Sequence, residues 1–179
     1  YQKLFDKGLP DREAQYAGLI EGMDKSLGEL MDYVEQKAIT DNTIILFMSD
    51  NGGYNVKREN SNFPLSGGKG SLLEGGIREP MIVLWPGVTT SSSVSHTPII
   101  IEDFFPTILD MAKVESDHLT TPQRIDGVSF VNQLRGIEGD LERPLFFHYP
   151  NSWGERFASV GVPQSAIIKG DWKLIHYYE

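Results

Sequence analysis

Cysteine is absent from this chain of 179 residues, and acidic residues outnumber basic ones. Without cysteine the chain can form no disulfide and no thiolate metal site, and it carries no thiol nucleophile. The 16 Lys and Arg residues against 25 Asp and Glu residues give a formal net charge of −9. Because binding to a phosphate backbone needs a basic stripe, this balance argues against a nucleic-acid partner.

Long hydrophobic runs are absent as well. The richest apolar stretches, Thr43–Met48 and Met81–Trp85, are far shorter than the roughly 20 apolar residues of a membrane span. No membrane partner is therefore expected. The length is that of one domain or of one domain with a small appendage, and 40% hydrophobic against 23% charged residues is an ordinary globular composition.

Hydrophobic spacing predicts a long helix near the start of the chain and strands after it. Between positions 11 and 38 apolar residues recur at intervals of three and four, which is typical of one face of a helix lying on a core. The continuous runs Thr43–Met48 and Met81–Trp85 predict strands that are covered on both faces, as in a parallel sheet. A further helix is expected over residues 99–114, interrupted at Pro106, and a short one over residues 128–134.

The last third of the chain has closely spaced strand signals. Leu145–Tyr149, Ser165–Lys169 and Trp172–Tyr177 are short apolar segments, and Gly170 with Asp171 can form the turn of a tight hairpin. The whole order predicts an α/β layer over residues 1–137, followed by a small antiparallel unit over residues 138–179.

Two polar residues follow the first predicted strand directly. Asp50 and Asn51 stand at its carboxyl end, where ligand sites of open α/β sheets gather. Their side-chain oxygens suit a hard cation such as Ca²⁺ or Mg²⁺ better than zinc. An Asx turn explains the same two residues, because Asp and Asn also favour turns for backbone reasons. Both interpretations stay open at this point.

A glycine-rich segment follows in a long region without hydrophobic periodicity, residues 54–74. Loops of this length in compact domains are usually functional or disordered. Lys69 lies within the string SGGKGS, where glycines let the backbone approach a ligand and the ammonium can bind an anion. A solvated lysine is the alternative. The string is not a Walker loop, because Gly70 stands where Ser or Thr should follow the lysine. Arg78, farther on, is expected to pair with a Glu and brace the loop.

The order of these pieces resembles the sulfatase family of the alkaline phosphatase superfamily. The resemblance is carried by the strand ending in SDNGG, by GGKGSLLEGGIREP and by MIVLWPG, and then by IEDFFPTILDMAKV, RIDGVSF and GDWKLIHYY. It extends over nearly the whole chain. The fold class that it implies is α/β: the second half of an alkaline-phosphatase-like sulfatase domain, followed by a small antiparallel α+β C-terminal subdomain.

The resemblance also implies roles for individual residues. Asp50 and Asn51 match two ligands of the sulfatase cation, which is normally Ca²⁺, with Mg²⁺ as the alternative. Lys69 matches the lysine that contacts the sulfate group, so it is the expected catalytic and substrate-binding residue. His148, in FFHYPNSWGE, belongs to a stretch that rims the substrate pocket in similar enzymes. A packed aromatic strand explains His148 nearly as well.

The attacking residue of such an enzyme is not found in this chain. Sulfatases use a formylglycine made from Cys or Ser within a C-x-P-S-R type signature, and the nearest string, Thr120–Arg124, begins with Thr and follows the lysine segment. We therefore expect the C-terminal portion of a sulfatase, inactive alone and prone to self-association. It would need the N-terminal half of its parent as a partner, and a sulfated glycan or small molecule as substrate. The resemblance further implies a periplasmic, secreted or lysosomal location.

Two other functions are compatible with parts of the sequence. A phosphatase or phosphodiesterase of the same superfamily commonly places a His beside the strand-end Asp to bind zinc, where this chain has Asn51. A glycan-binding module without catalysis would use His148, Trp153 and Lys69. The net charge of −9 disfavours polyanion binding in general, although a local site can override it.

Overall fold

Helices and strands alternate along the chain in nearly the predicted order. The computed structural model describes residues 3, 6–8, 11–54, 62–114, 121–137, 139, 141, 143–151 and 162–178. Trp153, Thr120 and positions 55–61 of the predicted long loop lie outside these residues. The helices are α1 (Asp11–Gln36), α2 (Glu74–Ile77), α3 (Phe104–Met111) and α4 (Val131–Leu134), with short 3₁₀ turns at Thr40–Asn42 and Ile101–Asp103. The strands are β1 (Ile45–Met48), β2 (Met81–Leu84), β3 (Leu145–Tyr149), β4 (Gln164–Lys169) and β5 (Trp172–Tyr177).

Helix α1 confirms the predicted long helix, but most of its apolar face is exposed. Among its 26 residues only Ala14 and Val34 are buried, and Leu19 is 72% exposed. The expected packing on a core is therefore not found within the described residues. We call the exposed face the α1 apolar stripe; it consists of Tyr16, Leu19, Ile20, Met23, Leu30 and Met31. Among the described residues no helix combines the length and the apolar character needed to cross a membrane.

Strands β1 and β2 form a two-stranded antiparallel sheet, with Ile45 opposite Leu84 and Met48 opposite Met81. The prediction of two strands is confirmed, but the prediction that both are covered on both faces is wrong. Strand β2 alternates between half-buried and exposed residues, and Ile82 is 65% exposed. Within its described part the connection between the strands contains the single helical turn α2 and no longer helix of the kind that usually forms the crossover of a parallel pair.

Helix α3 begins just before the proline that was expected to interrupt it. The 3₁₀ turn Ile101–Asp103 leads directly into α3, and Pro106 lies in its first turn. A proline is tolerated there because the first N–H groups of a helix have no partner within the helix. The expected break at Pro106 is therefore wrong, since the helix starts close enough to the proline to accommodate it.

A buried carboxylate joins three separate segments. Asp103 is fully buried, and its Oδ1 accepts a hydrogen bond from Val128 N–H at 2.8 Å. Its Oδ2 accepts from Ile100 N–H at 3.0 Å and also pairs with Arg143 Nη2. Arg143 stands two residues before β3, so this one side chain fixes the start of α3, the segment before α4 and the approach to the second sheet.

Thr107, one turn along α3, adds a second connection of the same kind. Its Oγ1 donates to Asp103 O at 2.6 Å and accepts from Phe130 N–H at 3.1 Å. Phe130 is buried, and its ring meets that of Phe104 edge to face, with 5.4 Å between the centroids. These bonds to Val128 and Phe130 explain why α4 begins at Val131, three residues later than expected.

Strands β3, β4 and β5 form an antiparallel sheet in sequence order. Leu145 lies opposite Ile168, and Lys169 lies opposite Trp172. The predicted hairpin turn is confirmed, because Gly170 adopts a φ of +54° between β4 and β5. Strand β4 starts one residue earlier than predicted, at Gln164. The proposed boundary between residues 137 and 138 stays a prediction.

Removing the buried carboxylate should destabilise the protein strongly. In an Asp103→Ala variant, Arg143 and two backbone N–H groups lose their acceptor inside the core. We expect the free energy of unfolding, measured by urea titration, to fall by about 3–5 kcal/mol. Asp110→Ala, at an exposed position on the same helix, is the control and should change it by less than about 0.5 kcal/mol. Equal effects of the two substitutions would contradict the role given to Asp103.

Candidate active site

A cavity of about 790 Å³ lies between the end of β1, the glycine-rich segments and β3. Asp50, Asn51 and His148 all line it. The structure therefore brings together three of the four site residues predicted from the sequence, although His148 is nearly 100 positions away along the chain. The rest of the wall is mainly apolar, with Ile100, Phe104 and neighbouring residues.

Lys69, the fourth predicted residue, stands beside this cavity rather than in its wall. Its neighbours Gly70 and Ser71 line the cavity. The Lys69 N–H donates to Gly53 O at 3.1 Å, which ties the lysine to the residues directly after Asn51. Within the described part of the chain, no carboxylate lies at ion-pair distance from Lys69 Nζ.

The strand-end pair forms a local bend and not the Asx turn that was one of the two interpretations. The N–H groups that such a turn would use, those of Gly52 and Gly53, donate elsewhere. Asn51 Nδ2 donates to Asp50 Oδ1 at 2.6 Å, and Ser49 Oγ donates to Asn51 O at 2.9 Å. The bend does not exclude a cation, because Asp50 Oδ2 and Asn51 Oδ1 take no part in these bonds. Both side chains line the cavity.

A further acidic residue, Glu79, lies in the same wall and was not singled out in the sequence. Burial, and then the charge of Asp50, raise the pKa of the Glu79 carboxyl. Its Oε1 is buried and has no hydrogen-bond partner among the described residues. Burial and the nearby charge of Asp50 thus both disfavour the ionised form of Glu79.

The oxygen atoms of Asp50 and Asn51 are the kind of ligand that a hard cation prefers, but they are too few to complete its coordination shell. Asp50 and Asn51 offer oxygen atoms, whereas Ca²⁺ takes about six to eight oxygen ligands. The described residues contain no group of three or more His, Cys, Asp or Glu side chains that could hold a metal. Asp50 and Asn51 would thus supply only part of a coordination shell.

Three glycine pairs pack backbone against backbone beside the cavity. We call this the glycine junction: Gly52–Gly53, Gly67–Gly68 and Gly75–Gly76. Its hydrogen bonds run between the three segments: Gly52 N–H to Gly76 O at 3.1 Å, Gly75 N–H to Ser66 O at 2.7 Å and Lys69 N–H to Gly53 O at 3.1 Å. From the sequence, these glycines were expected in turns or at a close approach of the backbone to a ligand. In the structure they allow one backbone segment to approach another closely.

The space at the junction admits no side chain. A Cβ atom on Gly52 would overlap the carbonyl oxygen of Gly75, and one on Gly76 would overlap that of Ser71. A Cβ on Gly75 would lie only 2.6 Å from Gly67 O. The three segments can therefore approach one another only because each contributes glycine at the contact.

Asn62 completes the junction from the side of the loop. Its Nδ2 donates to Gly53 O at 3.2 Å and to Gly67 O at 2.9 Å, while its Oδ1 accepts from Gly53 N–H at 3.2 Å. One side chain thus fixes the lysine segment to the residues that follow β1. Asn62 was not predicted, since an Asn within a polar loop carries no distinguishing local signal.

His148 is connected to two hydroxyl groups of the C-terminal sheet. Its Nδ1 lies 2.7 Å from Ser165 Oγ, which in turn lies 2.7 Å from Tyr178 OH. Ser165 stands directly opposite His148 in the β3–β4 register. Ser165 and Tyr178 were missed in the sequence, because only the register between strands places them beside the histidine. The chain of bonds holds one ring nitrogen of an exposed histidine and leaves Nε2 for another partner.

The expected pair between Arg78 and a glutamate is present but weak. Arg78 Nη1 lies 4.0 Å from Glu74 Oε2, and the arginine side chain is 66% exposed. Solvent screens such a pair.

Comparison with known proteins agrees with this arrangement. The family model described as Sulfatase matches residues 3–114, and the model described as N-sulphoglucosamine sulphohydrolase, C-terminal, matches residues 68–179. Each covers more than half of the chain. The chain belongs to the sulfatase family.

Relatives come from bacteria and mammals. A protein named Sulfatase from Formosa agariphila is 34% identical over 185 residues, covering 93% of this chain and 32% of the relative. Human N-acetylgalactosamine-6-sulfatase is 34% identical over 143 residues, covering 76% of the chain and 26% of that protein. Rat steryl-sulfatase is 33% identical over 169 residues, covering 90% of this chain and 28% of that protein. The chain thus spans about a quarter to a third of the length of these relatives.

The fold is shared with a solved structure. The crystal structure of PsFucS1 sulfatase from Pseudoalteromonas sp. superposes with a TM-score of 0.59 at 23% identity, covering 83% of this chain and 33% of that one. This likeness confirms the expected sulfatase fold.

The glycine junction predicts opposite effects for two glycine-to-alanine changes. Gly52→Ala should lower the free energy of unfolding by about 2–3 kcal/mol, because the new methyl group must displace the backbone of Gly75. Gly22→Ala is the control: Gly22 lies within α1 with open space around it, and alanine there should raise the free energy of unfolding by about 0.5–1 kcal/mol. Urea titration of both variants measures the difference. A Gly52→Ala variant as stable as the unmodified chain would show that the junction is not tightly packed.

Proposed function

We propose that this chain is the C-terminal portion of a sulfatase, a sulfuric ester hydrolase that cleaves a sulfate ester. The observation that supports this best is the convergence of four residues at one cavity. Asp50, Asn51 and His148 line it, and the glycine junction holds Lys69 at its edge.

The cation side of the site belongs to Asp50 and Asn51. They would hold Ca²⁺, or Mg²⁺ as the alternative, together with ligands from the rest of the protein. When bound, such an ion offsets negative charge on the oxygens of the sulfate group. Asn51 supplies an amide oxygen where a zinc enzyme of the same superfamily would need a nitrogen ligand, so a hard cation is the better fit.

Lys69 and His148 would act on the substrate from two sides. The Lys69 ammonium offers a fixed positive charge to the sulfate oxygens, and such charges stabilise the transition state most when they are held in place beforehand. The hydrogen bond from the Lys69 backbone N–H to Gly53 O restrains the backbone from which the ammonium extends. His148, held at Nδ1 by Ser165, would offer Nε2 to a polar group of the alcohol part of the ester.

The attacking group would come from outside this chain. No cysteine is present, so the formylglycine expected in the parent would lie in its N-terminal half. That half is also the natural cover for the α1 apolar stripe, since an exposed apolar face of this size marks an interaction surface. The isolated chain is accordingly expected to be inactive and to self-associate through this face.

The substrate is proposed at the level of its chemistry. The named relatives include an N-acetylgalactosamine-6-sulfatase and a steryl-sulfatase, so sugar and sterol esters both occur among them. We propose a sulfated glycan or an aryl sulfate for this protein, and a periplasmic, secreted or lysosomal location for its parent.

Lys69→Ala tests the proposed role of the lysine. In the complete protein we expect kcat/KM for an aryl sulfate to fall about 10²- to 10³-fold, because one preorganised charge at the sulfate group is lost. Lys169→Ala removes an exposed lysine at the end of β4 and should leave the rate unchanged. Turnover by Lys69→Ala at the unmodified rate would reject the proposal.

Asp50→Ala tests the cation site. We expect the calcium affinity of the complete protein, measured by isothermal titration calorimetry, to fall about 10- to 100-fold when this ligand is removed. Asp41→Ala, an exposed acidic residue in the 3₁₀ turn before β1, is the matched control. Tightly bound zinc at two sites in metal analysis would instead support a phosphatase-like enzyme.

A further inference from the structure

The lysine segment, residues 66–78, is joined to the C-terminal sheet by an ion pair between distant residues. Lys173 Nζ on β5 lies 2.8 Å from Glu74 Oε1 at the start of α2, and the two residues are 99 positions apart. The Lys173 side chain is only 19% exposed, and that of Glu74 is 40% exposed. This pair is better shielded from solvent than the one between Glu74 and Arg78, so Lys173 is the main partner of Glu74.

A second contact joins the same two parts of the molecule. Gln164, the first residue of β4, is buried, and its Oε1 accepts a hydrogen bond from Leu72 N–H at 3.4 Å. Leu72 stands three residues after Lys69 and two before Glu74. The C-terminal sheet therefore holds the lysine segment at two neighbouring points, one charged and one neutral.

From Glu74 the restraint reaches Lys69 through backbone contacts. Gly75 follows Glu74 directly and donates to Ser66 O at 2.7 Å. Ser71 Oγ bonds to both backbone groups of Gly68, with Gly68 O at 3.0 Å and Gly68 N–H at 3.3 Å. These contacts involve only backbone atoms and one short side chain, so they can absorb little movement. A shift of Glu74 is therefore expected to move Gly68, the residue before Lys69.

We propose that Lys173 is a positioning residue for Lys69. It does not line the cavity, so it acts through Glu74 and the glycine junction and not by touching the substrate. The C-terminal sheet thereby contributes twice to the reaction: β3 carries His148, and β5 holds the sulfate-binding lysine segment in place. This inference rests on the proposed function, in which Lys69 contacts the sulfate group.

The test compares Lys173→Gln and Glu74→Gln with the control Lys169→Gln in the complete protein. Three quantities are measured well below the melting temperature: amide hydrogen exchange in residues 66–76, the inhibition constant of inorganic sulfate, and kcat/KM for an aryl sulfate. For the first two variants we expect exchange to be about tenfold faster and sulfate binding about three- to tenfold weaker. Lys169→Gln should match the unmodified protein in all three.

Two further variants separate positioning from stability. Lys173→Arg keeps the charge and should retain sulfate binding. The double variant Glu74→Lys with Lys173→Glu exchanges the two charges, and it should recover part of the sulfate binding that each single change loses. If Lys173→Gln does not fold, Glu74→Gln and the exchanged pair carry the comparison. A lower melting temperature with unchanged sulfate binding and unchanged exchange in residues 66–76 would show a merely structural role and overturn the proposal.

Lys69→Ala, measured in parallel, distinguishes this inference from the proposed function. If Lys69→Ala leaves sulfate binding unchanged, the role of Lys69 fails and the positioning role fails with it. If Lys69→Ala weakens sulfate binding while Lys173→Gln and Glu74→Gln do not, only the positioning role is overturned.

Discussion

The close backbone approach of three glycine pairs is the constraint on which the candidate site depends. Gly52–Gly53 follows the end of β1, Gly67–Gly68 precedes the lysine, and Gly75–Gly76 lies in α2, yet the main chains of these three segments are in direct hydrogen-bonded contact. Any side chain at Gly52 would overlap a neighbouring carbonyl group. Glycine usually adds conformational freedom to a chain, but here the contacts remove that freedom, and they set the position of Lys69 relative to the strand end.

Two polar connections then hold the C-terminal sheet in place, one to α3 and one to the lysine segment of the junction. The ion pair between Asp103 and Arg143 holds the approach to β3. In the second connection, Lys173 and Gln164 of the sheet contact Glu74 and Leu72 of the lysine segment. Buried ion pairs add little net stability, because desolvation offsets much of the attraction, but breaking one is costly. Their effect is therefore chiefly geometric: they define how the strand carrying His148 faces the bend carrying Asp50.

The exposed apolar surface gives the complementary information. The α1 apolar stripe and the outer residues of β2 remain uncovered within the described part of the chain, which spans about a quarter to a third of its relatives' length. A helix with this spacing gains its stability mostly from packing against other elements. The same faces would become part of a larger core if the rest of a sulfatase domain packs against them, as proposed above.

By itself the sequence determined what short-range patterns control: helix α1 from its three-and-four spacing, the β4–β5 hairpin from Gly170, and Asp50 as a strand-end residue from local chemistry. It offered Lys69 as an anion-binding candidate from its glycine-rich surroundings, whereas the sulfate-binding role of Lys69 and the candidacy of His148 came only from the resemblance. Tertiary structure alone decided which apolar faces are covered, that β1 and β2 run antiparallel, that Ser165 contacts His148 and that Lys173 pairs with Glu74. The physical reason is distance along the chain: these features depend on contacts between residues tens of positions apart, about which local spacing carries no information.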